Sequence, residues 1–455
     1  MHGLTVGLEN HFSIWGLSFS LPAMSVSQRT AQNIRERLLK KSDPDALRKR
    51  LSPRPPASEP LCDRLPLCND HSAAGLEKRQ GFLKQLGITV DCLAGEAGRP
   101  APEMLANNIE NLVGFAQVPV AVIGPLRING IEAHGDFFVP MATSEGALVA
   151  SYHRGAYVIS HAGGAAAMCL TETISRAPCF VFKSTLDACS FLEFAMQESP
   201  NFQERISTTS SHCKFMELRS ALAGRNLFLG FDYQTGDAAG QNMVTIATDA
   251  LCRYLVEKAP VQPERWYVEG NMSGDKKATM LSFLSARGKK VIAEVVIPAA
   301  LLKKIIHVTP LQMIQYGHAA LLGGTQSGSI GVQGHYANAL AAMFIACGQD
   351  AACVSEASTG LTDMDVTEQG DLYASVTLPN VIVGTVGGGT HLPTAHECLA
   401  MLGCVGEGTA RKFAEICTAT VLAGEISIMG ALAIGEFAAA HAKYARRKKM
   451  LKAEG

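Results

Sequence analysis

The chain reads as an α+β protein in which a small domain is inserted into a larger, helix-rich one, and three observations carry that reading. Hydrophobic residues make up 47% of the 455 positions and charged residues 18%, a composition that builds large cores and not disorder. Single cores stop growing near ~250–300 residues, so a chain of this length predicts two or three domains. Residues 178–267 pair strand-like runs with two helix-like runs, about the size of a small α+β module, and a Gly- and Ala-rich texture flanks them on both sides.

The elements follow in order. The start, MHGLTVGLENHFSIWGLSFSLPAM, lacks a basic n-region and is interrupted by Glu9 and Asn10, which argues against a signal peptide and for an extension before Met24. Residues 25–100 are charged and punctuated, with SPRPPASEP as a linker and LEKRQGFLKQLG (76–87) as an amphipathic helix. VPVAVIGPLRING and HGDFFVPMATS predict strands, and GALVASYHRGAYVISHAGG predicts a helix ending at glycines. In the inserted block, CFVFKS and NLFLGFDYQ predict strands, and LDACSFLEFAMQE and QNMVTIATDALCRYLVEKA predict helices. KKVIAEVVIP (strand), ALLKKIIH (helix), DLYASVTLP and NVIVGTVGGG (two strands) and Ala-rich helices over 408–447 then resume the larger unit.

Composition excludes several classes of function. A net charge of −1 gives no global reason to bind nucleic acid or a membrane surface. No run of about 18 uncharged apolar residues predicts a membrane-spanning helix. The 13 cysteines include no Cys-x-x-Cys pair and often sit in apolar runs, which suits reduced thiols in a cytoplasmic protein and no metal centre.

Four features could carry chemistry. In PMATSEGALVAS (140–151) a lone carboxylate, Glu145, sits among apolar and small residues, which predicts shelter from water. The alternative is a first-turn helix carboxylate behind a Thr143 or Ser144 cap. SGDKKAT (273–279) reads by itself as a solvated turn. In IACGQDAAC, Asp350 is the only charge of an apolar stretch and wants a partner such as lysine. His441 precedes the basic run ARRKKMLK, which otherwise reads as a solvated helix end. TGDAAGQNM (235–243) and GTVGGGT (384–390) are Gly-rich, but neither a G-x-G-x-x-G fingerprint nor a P-loop occurs. Asp237 would repel a diphosphate, so it suits a neutral or basic partner better.

PMATSEGALVAS, GNMSGDKKA, IACGQDAA and GTVGGGT, in this order, resemble the 3-hydroxy-3-methylglutaryl-coenzyme A reductase family. ENLVGFAQVPVAVIGPL, GDAAGQNM and AGEISIMGALAIGEF resemble it too, over roughly residues 76–447. The chain looks closer to the class I type, without that class's membrane anchor.

The resemblance implies a large helix-rich domain with a central helix and surrounding strands, plus an inserted ferredoxin-like cofactor domain. It divides the chain into an extension, partly disordered (1–75), a helical segment (76–109), the large domain in two parts (110–176 and 268–447), the small domain (177–267) and a basic tail (448–455). It also implies reduction of a thioester to a primary alcohol in two hydride transfers from NADPH, with NADH as the alternative. Glu145, Lys276, Asp350 and His441 match the catalytic positions. An ammonium such as Lys276 can stabilise the oxyanion that hydride addition creates. An imidazole such as His441 can protonate the leaving thiolate, and Glu145 can donate a proton if shelter raises its pKa, coupled through Asp350 to Lys276.

Arg176, Asp275 and Lys277 match residues around the acyl carboxylate, with Glu269 in the same pocket. His153, Arg154 and His335 match the coenzyme A side of the substrate site, Asn338 is a further substrate-binding position, and Ser210, Ser211, Asp237, Gly240, Asn242 and Met243 match the nicotinamide-cofactor site. ENLVGF implies a homodimer or higher homo-oligomer with shared active sites. The implied ligand is hydroxymethylglutaryl-coenzyme A or a related acyl-coenzyme A.

The chain also departs from the family. Glu269 stands where a serine is expected, and His153 where an asparagine is. Positions 318–320 read His318, Ala319 and Ala320, without a substrate-binding lysine. Ser210 is followed by Ser211 and not by arginine, and Arg447 replaces a serine phosphorylated in some members. These changes leave two further readings: the same chemistry on another acyl thioester, or a non-catalytic acyl-coenzyme A binder.

Overall fold

The computed structural model describes residues 26–40, 43–68, 70–97, 100–106 and 108–437. Two compact units divide after Asp43. The first contains helix α1 (Val26–Arg35), followed by one π-helical turn at Glu36–Lys40. The second begins with α2 (Pro44–Leu51), α3 (Ala73–Gln85) and α4 (Asp91–Ala94). Ser72 starts α3 by accepting a hydrogen bond from the Gly75 amide at 3.1 Å.

Next come β1 (Val120–Gly130) and β2 (His134–Ala142), an antiparallel pair. The SPRPPASEP stretch, expected to be a linker, is instead bound against β1. Arg127, almost wholly buried on β1, donates to the carbonyls of Arg54 and Glu59 (both 2.6 Å) and Pro60 (3.0 Å). Its Nε is held by Asp136 of β2 at 2.7 Å. A guanidinium with five donors gathers carbonyls of a proline-rich segment that forms no strand ladder.

Helix α5 (Leu148–His161) leads to β3 (Ala165–Arg176), the strand that joins the two domains. Its first residues pair with β1 in parallel, and Ile174–Arg176 pair antiparallel with the small domain. That domain runs β4 (Cys179–Val181), α6 (Thr185–Glu198), α7 (Phe202–Ser207), β5 (Lys214–Ala223), β6 (Asn226–Gln234), α8 (Gln241–Lys258) and β7 (Arg265–Tyr267). The spatial order β5-β6-β4-β7, antiparallel throughout, is the βαββαβ arrangement of a ferredoxin-like domain. Strand β5 went unread from the sequence because it is an edge strand without a buried residue.

The larger unit resumes with α9 (Leu281–Leu284), β8 (Gly288–Ile297), α10 (Ala299–Ile305), α11 (Pro310–Ser327), α12 (Tyr336–Ala346) and α13 (Val354–Ala357). It ends with β9 (Leu361–Val366), β10 (Leu372–Val381), α14 (Pro393–Met401) and α15 (Ala410–Ala433). DLYASVTLP and NVIVGTVGGG do not form two strands. Pairing with β8 continues past Pro379 through a register shift, so β10 is one strand and GTVGGGT is a loop.

Helix α15 is the core of the larger domain, packed on α5, α11, α12, β3, β8 and β10. It is long and apolar enough to cross a membrane, yet most of it is buried inside the fold. Close approach of α5 needs glycine: a Cβ on Gly155 would collide with the Ala423 carbonyl, and one on Gly424 with the Tyr152 ring. All thirteen cysteines are free thiols.

Candidate active site

Three loops of the larger domain converge around the predicted acids and bases. Asp350 follows α12 and turns the chain into a short 3-10 segment, where one carboxylate oxygen accepts from the Ala352 amide at 3.0 Å. The other oxygen lies 2.8 Å from the Lys276 ammonium. The lone aspartate of the apolar stretch therefore finds the lysine it wanted. The hydrogen bond to Asp350 raises the Lys276 pKa above its ordinary value, partial burial opposes it, and Cys353 and Asp275 add to the rise.

Glu145 corrects an expectation. It is exposed in the single chain and not sheltered, because α5 begins only at Leu148, beyond the loop that carries it. Nor does Thr143 cap that helix: its hydroxyl accepts the Glu145 amide at 3.0 Å, and α5 has no side-chain cap. The carboxylate receives one hydrogen bond, from Asn338 Nδ2 at 2.7 Å.

Asn338 lies in the first turn of α12, three residues after His335, which immediately precedes the helix. The His335 ring stacks on Tyr152 with centroids 4.7 Å apart, and its Nδ1 is 3.5 Å from Glu425. Glu425, wholly buried on α15, also accepts the Gly334 and His335 amides (both 2.8 Å) and the Thr362 hydroxyl (2.8 Å).

A chain of alternating charge lines the other side. Glu269 Oε2 lies 3.7 Å from Arg176 Nη1, which donates to Asp275. Arg287 Nη2 donates to the other Asp275 oxygen at 2.8 Å, and its Nη1 to both oxygens of buried Glu356 at 2.6 Å. Burial pushes the Asp275 carboxyl up, but Arg287 and Arg176 outweigh it and hold it below the usual range. Lys277 is exposed and donates to the Asp275 carbonyl at 2.9 Å. Sequence reasoning missed Arg287, Glu356 and Glu425, whose partners are remote in the chain.

Two predicted residues lie on α5 and make contacts within the chain. Arg154 binds Ser427 of α15 through its hydroxyl (3.0 Å) and carbonyl (2.8 Å). His153 accepts the Gly124 amide at 3.3 Å and lines a cavity of about 340 Å³ with Arg64, Tyr157 and His161. Burial, then Arg64, lowers the His153 pKa. His441 lies outside the described residues.

The two Gly-rich loops, separate in sequence, lie against each other: the Thr385 amide donates to the Asp237 carbonyl at 2.9 Å. The Asp237 carboxylate accepts the Gly408 (2.7 Å) and Ala410 (3.0 Å) amides at the start of α15. A helix N-terminus, not a basic side chain, is thus its partner. Gly240, with φ 80°, opens α8, whose N-terminus has no side-chain cap; a Cβ there would strike Thr235. Asn242 and Met243 stand in the first turn of that helix, and Ser210 Oγ accepts the His212 amide at 3.2 Å. Among the described residues no group of His, Cys, Asp or Glu could hold a metal.

A family model described as hydroxymethylglutaryl-coenzyme A reductase matches residues 75–446. A 3-hydroxy-3-methylglutaryl-coenzyme A reductase of Pyrococcus abyssi is 38% identical over 371 residues, covering 80% of this chain and 90% of the relative. That of Aeropyrum pernix is 43% identical over 346 residues, covering 74% and 82%. A class II enzyme of this name from Streptococcus pneumoniae, solved bound to NADPH in open conformations, superposes with a TM-score of 0.62 at 19% identity, covering 78% of this chain and 96% of that one.

Proposed function

The chain belongs to the hydroxymethylglutaryl-coenzyme A reductase family, and from that premise we propose how its residues divide the work. The reaction is reduction of 3-hydroxy-3-methylglutaryl-coenzyme A to mevalonate and free coenzyme A. The observation that carries the reading is the Lys276–Asp350 pair at 2.8 Å beside the Asp275–Arg176 chain. Lys276 donates to the thioester oxygen and stabilises the charge that develops there. Its raised pKa keeps it an ammonium at neutral pH.

Glu145, steadied by Asn338 through one oxygen, exchanges a proton through the other during reduction of the intermediate aldehyde. Exposure of Glu145 in the single chain fits a site completed by substrate and by a second protomer. Val113 and Phe115, exposed on an extended segment without regular structure, are proposed to belong to that homodimer contact. His441 is proposed as the acid for the coenzyme A thiolate. His335, just before α12, is proposed to meet the coenzyme A portion, and His153 from α5.

NADPH supplies the hydrides when bound. The uncapped start of α8 at Gly240 suits a diphosphate, since free amides and the helix dipole favour an anion there. Asn242 and Met243 would border it, with Ser210 and Ser211 near the 2′-phosphate. Asp237 supports this site indirectly, by tying the loop to α15. A cytoplasmic setting is proposed, consistent with the free thiols.

The test is purified protein with hydroxymethylglutaryl-coenzyme A and NADPH, following loss of nicotinamide absorbance and release of thiol together. Two cofactor equivalents oxidised per thiol released are expected. Thiol release without cofactor oxidation would refute a reductase.

A further inference from the structure

The loop that carries Lys276 is gripped from beneath by two residues with no part in the chemistry above. Lys276 has φ 55°, a left-handed backbone that a lysine rarely adopts. Such a conformation persists where its surroundings over-determine it. Its peptide N–H donates to Glu356 Oε1 at 3.0 Å. Glu356 is 0% exposed and Arg287 2% exposed. Glu356 lies in α13, which directly continues the 3-10 turn that begins at Asp350, the counter-ion of Lys276. Its partner Arg287 reaches Asp275, the residue just before Lys276. One buried ion pair thus holds the lysine's own peptide, its acidic neighbour and the segment that supplies its counter-ion.

We propose that Glu356 and Arg287 are positioning residues that fix the Lys276 ammonium against Asp350 and join both to Asp275 at the acyl end of the site. This rests on the reading of Lys276 as the oxyanion donor. A buried ion pair kept only for the core can be exchanged for apolar residues of similar volume at little or no cost. The two roles therefore part company when the pair is replaced and not broken.

Three groups face the Lys276 ammonium: Asp350 and Asp275, which raise its pKa, and Cys353, which adds to the rise. In the folded double variant Arg287→Met/Glu356→Leu, the lysine loses its fixed place beside Asp350. We expect turnover to fall about 10²-fold, the order of a 1 Å misplacement, with the Michaelis constant for NADPH unchanged. The alkaline limb of the kcat–pH profile should move to lower pH, because the raising contact with Asp350 is weakened. Arg287→Met/Glu356→Gln restores an acceptor to the Lys276 amide but not the Arg287–Asp275 contact, so it should recover part of the turnover and no more.

Wild-type turnover in both folded double variants overturns the proposal, as does equal loss in both with an unmoved alkaline limb. Amide hydrogen exchange on the unaltered protein gives a second test that needs no variant to fold. The Lys276 amide should exchange much more slowly than an ordinary turn amide, and fast exchange overturns the proposal. That measurement does not depend on activity. Lys276→Ala with normal turnover would sink the reading of Lys276 and leave the exchange result standing.

Discussion

Two carboxylates stand alone in apolar sequence and meet opposite fates. Glu145, in PMATSEGALVAS, sits exposed on a loop with one side-chain donor, Asn338, 193 positions away. Glu415, in FAEICTATV, is wholly buried on α15 and accepts the Glu132 (2.9 Å), Ala133 (2.8 Å) and Cys169 (3.1 Å) amides. Burial pushes its carboxyl up to about 7 against the pull of those three amides. Apolar neighbours in sequence therefore say little about shelter. What separates the two is whether the donors are fixed amides of the β1–β2 turn and of β3 or a side chain at a site that binds something.

The largest expected effect tests the exposed member. Glu145→Gln should cut reduction of the free aldehyde by ~10²–10⁴ and leave the melting temperature unchanged, because no buried group loses a partner. A lowered melting temperature with intact turnover would reverse the roles given to the two residues.

Glu415→Ala should show the reverse. Two buried amides and one partly buried amide lose their acceptor, each buried one worth ~1–3 kcal/mol, so unfolding free energy should fall by at least about 2 kcal/mol while turnover per folded molecule holds. The pH dependence has a definite sign. Because the folded carboxyl titrates near 7 and an unfolded glutamate near ~4.3, this group's stability is fully present below the lower value. It is lost as pH rises through about 7, on the order of 3 kcal/mol in all. Thermal denaturation of the natural protein and of Glu415→Gln between pH 4.5 and 8 checks this: the difference between the two curves should narrow as pH rises. A constant difference would mean that Glu415 is ionised throughout.

The same contrast explains what was legible in sequence. Asp350 was readable because a lone acid in an apolar run wants a cation, and it meets Lys276 at 2.8 Å, whereas the turn that carries Lys276 reads by itself as solvated and only the family resemblance singled the lysine out. The inserted domain was readable through its strongly periodic helices and buried strands β4 and β6. Glu356, Arg287 and Glu425 were not, since each bonds an amide or charge from a distant segment that no local period reveals. SPRPPASEP misled because its partner is a single buried arginine on another strand. The single strand β10 misled because Pro379 reads as a break that the pairing with β8 tolerates.

A smaller effect concerns the cofactor side, where exposed side chains alone are in question. Ser211 is exposed, and Ser210 spends its hydroxyl on the His212 amide. Hydroxyls cannot match a bidentate arginine–phosphate contact, so discrimination against NADH should be modest. Ser211→Arg should raise the NADPH preference by about tenfold or more, the scale of one charge-assisted hydrogen bond. A natural preference of ~10³ or above, about 4 kcal/mol, would defeat the premise.

The smallest effect belongs to Glu269, which lies between the two extremes. One oxygen accepts the Ser273 hydroxyl (2.9 Å) and the Ala177 amide (3.3 Å) and faces Arg176, like a buried structural acid. The other oxygen is buried without a hydrogen-bond partner, which is costly unless a ligand or a proton meets it. Arg176 already serves Asp275, and its Nε donates to the Thr245 hydroxyl at 2.9 Å. Its charge is therefore shared between two acids before any substrate carboxylate arrives. Glu269→Ser removes one of them and should lower the Michaelis constant for hydroxymethylglutaryl-coenzyme A. One unit charge at a partly exposed site is worth about 1 kcal/mol after screening, roughly fivefold. A carboxylate-free thioester analogue should gain nothing, because its acyl end carries no charge for Glu269 to repel. Equal gains on both substrates would show that the serine merely relaxes the 273–277 loop. No change on either would place Glu269 with Glu415, as an acid that serves the fold and not the acyl group.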